Sequence, residues 1–191
     1  MLTSLLAGAV LLVAGCAGPS DEQAGEPANG GSPTASTPTP SASRPAGGSP
    51  SASQGPVPEA LQFSAPLVGG GQFDGASLAG RPAVLWFWAA WCPRCRAKAA
   101  DVADLAAAVA GRAQVVGVAG LGSGDEAIRD FVTAQDVGGF PHLADDAGAV
   151  WRRFGVSEQE YFVLIDASGE VVHHGPLSAD ELRRRVSALA G

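Results

Sequence analysis

The sequence predicts an α/β sandwich built on a mixed central sheet. Three observations lead there. Ala83–Ala89 is an unbroken apolar run, the pattern of a strand buried on both faces. Downstream of it, strand-like and helix-like segments alternate, which favours parallel pairing. Near the end, Tyr161–Ile165 and Val171–His174 read as two strands joined by Ala167-Ser-Gly169, a hairpin that adds antiparallel strands.

The chain has 191 residues, room for one domain and an appendage. Leu2 to Val13 is apolar but too short to span a bilayer as a stable helix. Residues 1–15 read as a signal peptide, although Met1–Ser4 carries no Lys or Arg, a departure that leaves room for a start upstream. Residues 17–57 are rich in Ser, Thr, Pro, Gly and Ala, and eight of the fourteen prolines fall between Pro19 and Pro56. Such a stretch cannot bury enough apolar surface to offset its ordering entropy. Treated as a coil it spans roughly 35 Å, so residues 16–57 are read as a tether and 58–191 as the folded domain. From Pro58 onward 11 Lys and Arg face 16 Asp and Glu, and the only basic cluster is Arg183–Arg185. Nucleic acid is therefore not an expected partner; the three arginines are expected to face solvent or to neutralise the end of the last helix.

Within the domain, Leu61–Val68 and Gln72–Phe73 are expected as short strands around Gly69-Gly-Gly, and Gly80-Arg-Pro as a turn into the central strand. A helix is predicted from Pro93 to about Ala110, stopped by Gly111. Gln114–Ala119 is the next buried strand, and a glycine-rich loop, Gly120 to Gly124, follows it. Asp125 and Glu126 suit the positive end of a second helix, to about Gln135. Phe140-Pro-His-Leu should enter a short edge strand, Ala147–Phe154 a helical turn or two, and Ser178 should cap a last helix to Ala190.

The candidate chemistry lies between the central strand and the first helix. Cys92 and Cys95, spaced to close a disulfide, fall where orphan backbone N–H groups and the helix dipole favour a negative charge. Cys92, expected to be the more exposed, is the candidate thiolate. Pro93 fits the first helical turn, and Arg94 adds positive charge. Zinc shares this spacing but needs two further ligands, and the remaining cysteine is Cys16 in the signal region. No metal site and no cofactor is expected.

Val13-Ala14-Gly15-Cys16 resembles the lipobox of bacterial lipoproteins, which implies lipid attachment at Cys16, with an ordinary secretory signal as the alternative. Phe87-Trp-Ala-Ala-Trp-Cys-Pro-Arg-Cys95 resembles the active-site segment of thioredoxin-like proteins, most closely the membrane-tethered TlpA/ResA/DsbE-type thiol–disulfide oxidoreductases. Leu78-Ala-Gly-Arg-Pro, Phe140-Pro-His-Leu-Ala-Asp-Asp, Phe154-Gly-Val and Phe162-Val-Leu-Ile-Asp-Ala-Ser-Gly-Glu extend the likeness over residues 61–190. The resemblance implies a three-layer α/β/α thioredoxin-like sandwich with an N-terminal β-hairpin. It implies exchange of disulfides with cysteine-containing envelope proteins, and a membrane thiol or disulfide partner for electrons. The expected location is the outer face of a bacterial cell membrane, or secretion.

Departures from that family pattern are specific. Its cis-proline aligns with Glu160, and no proline lies between Pro141 and Pro176. A non-proline cis bond costs about 2.5–4 kcal/mol, so a trans peptide and an altered loop are expected at Glu160. A carboxylate there would oppose a thiolate at Cys92, or else accept the Cys95 proton. Lys98 and Ala100 replace an acid and a proline, and Trp86 replaces a buried acid. Lys98 is expected as a solvated surface lysine. These losses leave open a non-enzymatic alternative, a module that binds copper or docks proteins.

Trp86 and Trp88 are expected to pack on alternating faces of the sheet, with Trp91 flanking the dithiol at the surface as a shaping residue. His142 is expected as a surface or strand histidine, not a ligand. His173 and His174 should point to opposite faces, and Asp145-Asp146 is read as structural.

Overall fold

The computed structural model describes residues 56–191. The segments read from the sequence as signal peptide, lipobox with Cys16 and most of the tether lie outside the described residues. After a 3-10 turn at Glu59–Leu61, β1 (Ser64–Pro66) and β2 (Gln72–Asp74) form the expected antiparallel hairpin. The remaining elements are β3 (Ala83–Trp88), α1 (Pro93–Ala108), β4 (Gln114–Ala119), α2 (Asp125–Ala134), β5 (His142–Ala144), α3 (Ala149–Arg153), β6 (Tyr161–Ile165), β7 (Val171–Gly175) and α4 (Ala179–Leu189).

Five strands form one sheet in the order β5-β4-β3-β6-β7. β3 pairs parallel with β4, and β4 with β5, each across a helical connection. β3 pairs antiparallel with β6, and β6 with β7, which makes the sheet mixed as anticipated. All six residues of β3 are buried, as its unbroken apolar run requires for a central strand covered on both faces.

Each face of β3 anchors one core. Val84, Trp86 and Trp88 pack with Val102 and Leu105 of α1, Ile128 and Phe131 of α2, and Leu182 and Val186 of α4. Leu85 and Phe87 pack with Val150 and Trp151 of α3 and with Leu61 and Leu78 from the N-terminal segment. Trp86 and Trp88 therefore share a face, contrary to expectation, and their ring centroids lie 5.9 Å apart. The reason is the two-residue period of a strand: residues two apart always emerge on the same side, and it is Phe87 that faces the other way.

Two turns show how local chemistry sets the frame. The Asp166 carboxylate accepts the N–H groups of Ser168 (2.9 Å) and Glu170 (3.0 Å), which closes the β6–β7 turn. Asp145 is buried and its carboxylate accepts the N–H groups of Ala149, Val150 and Trp151 at 2.8, 2.7 and 3.0 Å. That satisfies the orphan donors of α3, so the structural reading of Asp145 stands. Ser178 caps α4 through the Glu181 N–H. Arg183, Arg184 and Arg185 are exposed; Arg183 pairs with Asp101 of α1, and the three pair with Asp180 and Glu181 near the start of α4, so they do not serve its C-terminal end.

Candidate active site

β3 delivers its C-terminal end to a turn at Ala89–Trp91, and α1 starts immediately after. Cys92 is the N-cap of α1 with extended backbone, and the Cys95 N–H donates to its Sγ at 3.0 Å. Pro93 occupies the first helical position, where a missing N–H leaves nothing unpaired. Cys92 and Cys95 form a disulfide, with Cα atoms 5.3 Å apart. Both cysteines are fully buried, so Cys92 is not the exposed member of the pair in this oxidised form. Both side chains belong to the core that includes Trp86 and Ala99. The exposed rim above them belongs to Trp91, which is 50% exposed, and to Pro93 and Arg94. No cluster of three or more His, Cys, Asp or Glu side chains forms among the described residues.

Backbone and loop contacts hold that rim. The Trp91 indole donates to Leu121 O at 3.1 Å, and the Arg96 guanidinium donates to Ala90 O at 2.8 Å. Ser123 Oγ accepts the Ala90 N–H at 3.0 Å and donates to Gly120 O at 2.6 Å. The Asp146 carboxylate in turn accepts the N–H groups of Ser123 and Gly124 at 3.0 and 2.6 Å. The loop that reads along the chain only as glycine-rich therefore braces the dithiol turn. Ser123 escapes sequence reasoning, and Asp146 is read there only as structural; a lone serine among glycines and an acid two residues past the end of the edge strand carry no pattern that pairs them in advance.

Glu160 lies at the start of β6. Its N–H donates to Phe87 O at 2.9 Å, and no cis peptide occurs in the described residues, so the expected trans bond at Glu160 is present. The altered loop shows as a positive φ of 61° at Glu160, a left-handed conformation uncommon outside glycine. The side chain is buried and Oε1 has no partner. Burial raises its pKa above the ordinary carboxylate value, while the positive charges of Lys98 and Arg94 pull it back. Lys98 is not the solvated lysine expected: its side chain is 17% exposed and reaches Asp101 at 3.6 Å. One turn into α1, its charge acts on the Glu160 carboxylate, a coupling set by the packing of helix on sheet and invisible along the chain.

Of the two roles expected for it, His142 takes the strand one, as the first residue of β5. It is buried, its Nδ1 accepts the Trp88 indole N–H at 3.3 Å, and its Nε2 lies 2.8 Å from Val137 O. A carbonyl only accepts and an indole only donates, so the ring is neutral with the proton on Nε2. Burial lowers its pKa to about 4, opposed by the Val137 hydrogen bond. His173 and His174 have separate partners, Gly175 O for the first and Tyr161 Oη with Phe154 O for the second, so they form no joint site.

Residues 57–174 match the model of the AhpC/TSA family. The chain is 42% identical over 143 residues to the soluble secreted antigen MPT53 of Mycobacterium tuberculosis, across 69% of this chain and 76% of that protein. It is 33% identical over 101 residues to a thiol:disulfide interchange protein DsbE homolog of Paracoccus denitrificans, across 52% of this chain and 54% of that protein. Among solved structures, MTB DsbF in mixed oxidized and reduced forms superposes with a TM-score of 0.67 at 47% identity, covering 70% of this chain and 99% of that one. A secreted Mycobacterium tuberculosis disulfide oxidoreductase homologous to E. coli DsbE gives 0.63 at 41% identity, covering 69% and 98%. With this fold, this family match and these relatives, the chain belongs to the AhpC/TSA family and, within it, to the thioredoxin-like thiol–disulfide oxidoreductases of DsbE type.

Proposed function

We propose that the protein exchanges disulfides with cysteine-containing proteins outside the cytoplasm through the Cys92–Cys95 pair. The observation that carries this reading is the disulfide itself, at the N-terminus of α1 beneath the exposed Trp91. In the reducing direction, the Cys92 thiolate attacks one sulfur of a substrate disulfide. A mixed disulfide forms and the other substrate sulfur leaves as a thiolate. Cys95 then attacks Cys92 Sγ, the protein disulfide forms, and the second substrate thiolate departs with two electrons gained by the substrate. In the oxidising direction the same steps run backwards. Cys95 N–H and the helix end favour negative charge on the Cys92 sulfur. Trp91, Pro93 and Arg94 form the rim that a partner meets first.

MPT53 and the Mycobacterium tuberculosis disulfide oxidoreductase homologous to E. coli DsbE are described as secreted. For this chain, Leu2–Val13 and the lipobox-like Val13-Ala14-Gly15-Cys16 support export followed by lipid attachment at Cys16, with residues 17–57 as the tether. Cys16→Ala should move the protein from the membrane fraction to the medium; retention in the membrane rejects the anchor.

Insulin disulfide turnover tests the exchange reaction. Cys92→Ser should abolish it, and Cys95→Ser should retain a covalent mixed disulfide with the substrate. Turnover by the Cys92→Ser variant equal to that of the wild type overturns the reading. Equilibration of the wild type against a glutathione series gives the potential, and with it the direction of electron flow.

A further inference from the structure

Three side chains of polar or charged character are buried among the described residues: His142, Asp145 and Glu160. Both ring nitrogens of His142 are engaged, and Asp145 accepts three backbone N–H groups. Glu160 differs. Its Oε1 is buried without a partner, an arrangement that is unfavourable for a charged group unless something compensates.

Its position is fixed by the sheet. Tyr161 pairs with Phe87, and the Glu160 N–H donates to Phe87 O, so Glu160 sits at the C-terminal end of β3. Cys92 hangs from that same end, its N–H donating to Ala89 O at 3.1 Å. The charges that act on the carboxylate, Lys98 and Arg94, lie on the first turns of α1 on either side of Cys95 in sequence. On the strand beneath the dithiol, Trp86 offers no ionisable group, and its indole is itself unpartnered. The backbone of Glu160 adopts a left-handed conformation that disfavours a side chain. The strand end that leads into the dithiol turn thus holds a buried residue of left-handed backbone whose carboxylate Oε1 has no partner.

We propose that Glu160 is the proton carrier for Cys95. Resting on the exchange reaction proposed above, its carboxylate takes the Cys95 thiol proton as that sulfur attacks Cys92 Sγ and breaks the bond to the substrate. The leaving substrate thiolate takes a proton from Glu160 or from water. When the reaction runs the other way, the protonated carboxyl returns its proton to the Cys95 thiolate released by substrate attack at Cys92. The raised pKa of Glu160, caused by burial, keeps its protonated form accessible for that return. The charged groups that act on it are Lys98 and Arg94 from α1; Glu158, on its own loop, is exposed.

The test uses the full chain carrying Cys16→Ser, so that only Cys92 and Cys95 remain as thiols. The reduced protein is mixed with 5,5′-dithiobis(2-nitrobenzoate) in a stopped-flow instrument. Attack by Cys92 releases a first thionitrobenzoate, and resolution by Cys95 releases a second. In Glu160→Gln the ratio of second to first rate constants should fall tenfold or more, the scale of positioned acid–base catalysis, and Glu160→Asp should recover part of it. In the wild type the second rate should rise through a carboxylate inflection that Glu160→Gln lacks. A ratio that falls less than threefold overturns the proposal. Should Glu160→Gln fail to fold, a wild-type resolution rate that rises only with an ordinary thiol near pH 8.5 overturns it as well. Absence of the first release in the wild type removes the exchange reaction itself, and this proposal with it.

Discussion

Gly117 is the position where a single methyl group should do the most damage. It lies on β4 opposite Trp86 of β3 and His142 of β5. A Cβ there would collide with His142 Nδ1 and Cε1 and with Trp88 Nε1. None of these can step aside easily: His142 is tied to Val137 O at 2.8 Å, and Trp88 stacks on Phe131 with centroids 4.2 Å apart. Overpacking of a tight core costs about 1–3 kcal/mol. Parting Trp88 from His142 strands a buried indole donor, for about 1–3 kcal/mol more. Gly117→Ala should therefore lose about 2–6 kcal/mol, a large share of the roughly 5–15 kcal/mol that holds a domain folded. Urea denaturation of the oxidised protein, followed by tryptophan fluorescence, measures it. Gly139→Ala is the control, since no atom lies within 4 Å of the added carbon; it should stay within about 0.5 kcal/mol. A loss below about 1 kcal/mol at Gly117 would show that the His142–Trp88 contact is not a rigid part of the frame beside the dithiol.

Glu160→Pro, which puts the family's residue back, should destabilise by about 3 kcal/mol or more, because proline cannot adopt φ 61° and removes the N–H that donates to Phe87 O. An unfolding midpoint equal to that of the wild type contradicts this. His142 should make stability fall on acidification: its folded pKa of about 4 lies below the ordinary 6.5, so the unfolded chain takes up the proton first. That stability is complete above pH 6.5 and is lost as pH drops toward 4, by about 3 kcal/mol in all, while Glu160 with its raised pKa acts in the opposite sense. Proton NMR of the His142 ring is the direct check, and a midpoint near 6.5 refutes its burial. Asp145→Ala should cost about 2–3 kcal/mol by leaving three α3 N–H groups without an acceptor; an unchanged melting temperature would mean that water replaces the carboxylate freely.

Along the chain, the elements carry local signals strong enough to be read directly. Ala83–Trp88 announces a two-sided strand by lacking any polar residue, and Gln114–Ala119 begins and ends where the structure places β4. Pro93 after an N-cap Cys92, Ser178 before an acidic first turn, and the glycines between β1 and β2 mark boundaries through backbone chemistry alone. The dithiol is legible for the same reason, since two cysteines one helical turn apart need no distant residue to meet.

Which side chains meet across elements is decided only by tertiary packing. Exposure of Cys92, solvation of Lys98 and the surroundings of His142 depend on how α1, α2 and β5 pack on the sheet, and residues such as Trp88 and His142, 54 positions apart, carry no mutual mark. Glu160 shows both halves. Its identity alone rules out the family's proline at that position, whereas its burial beside the end of β3, under the charges of Lys98 and Arg94, arises only from strand pairing and helix docking. Local propensity acts through the backbone of a few neighbouring residues, but desolvation and charge coupling are properties of a closed interior.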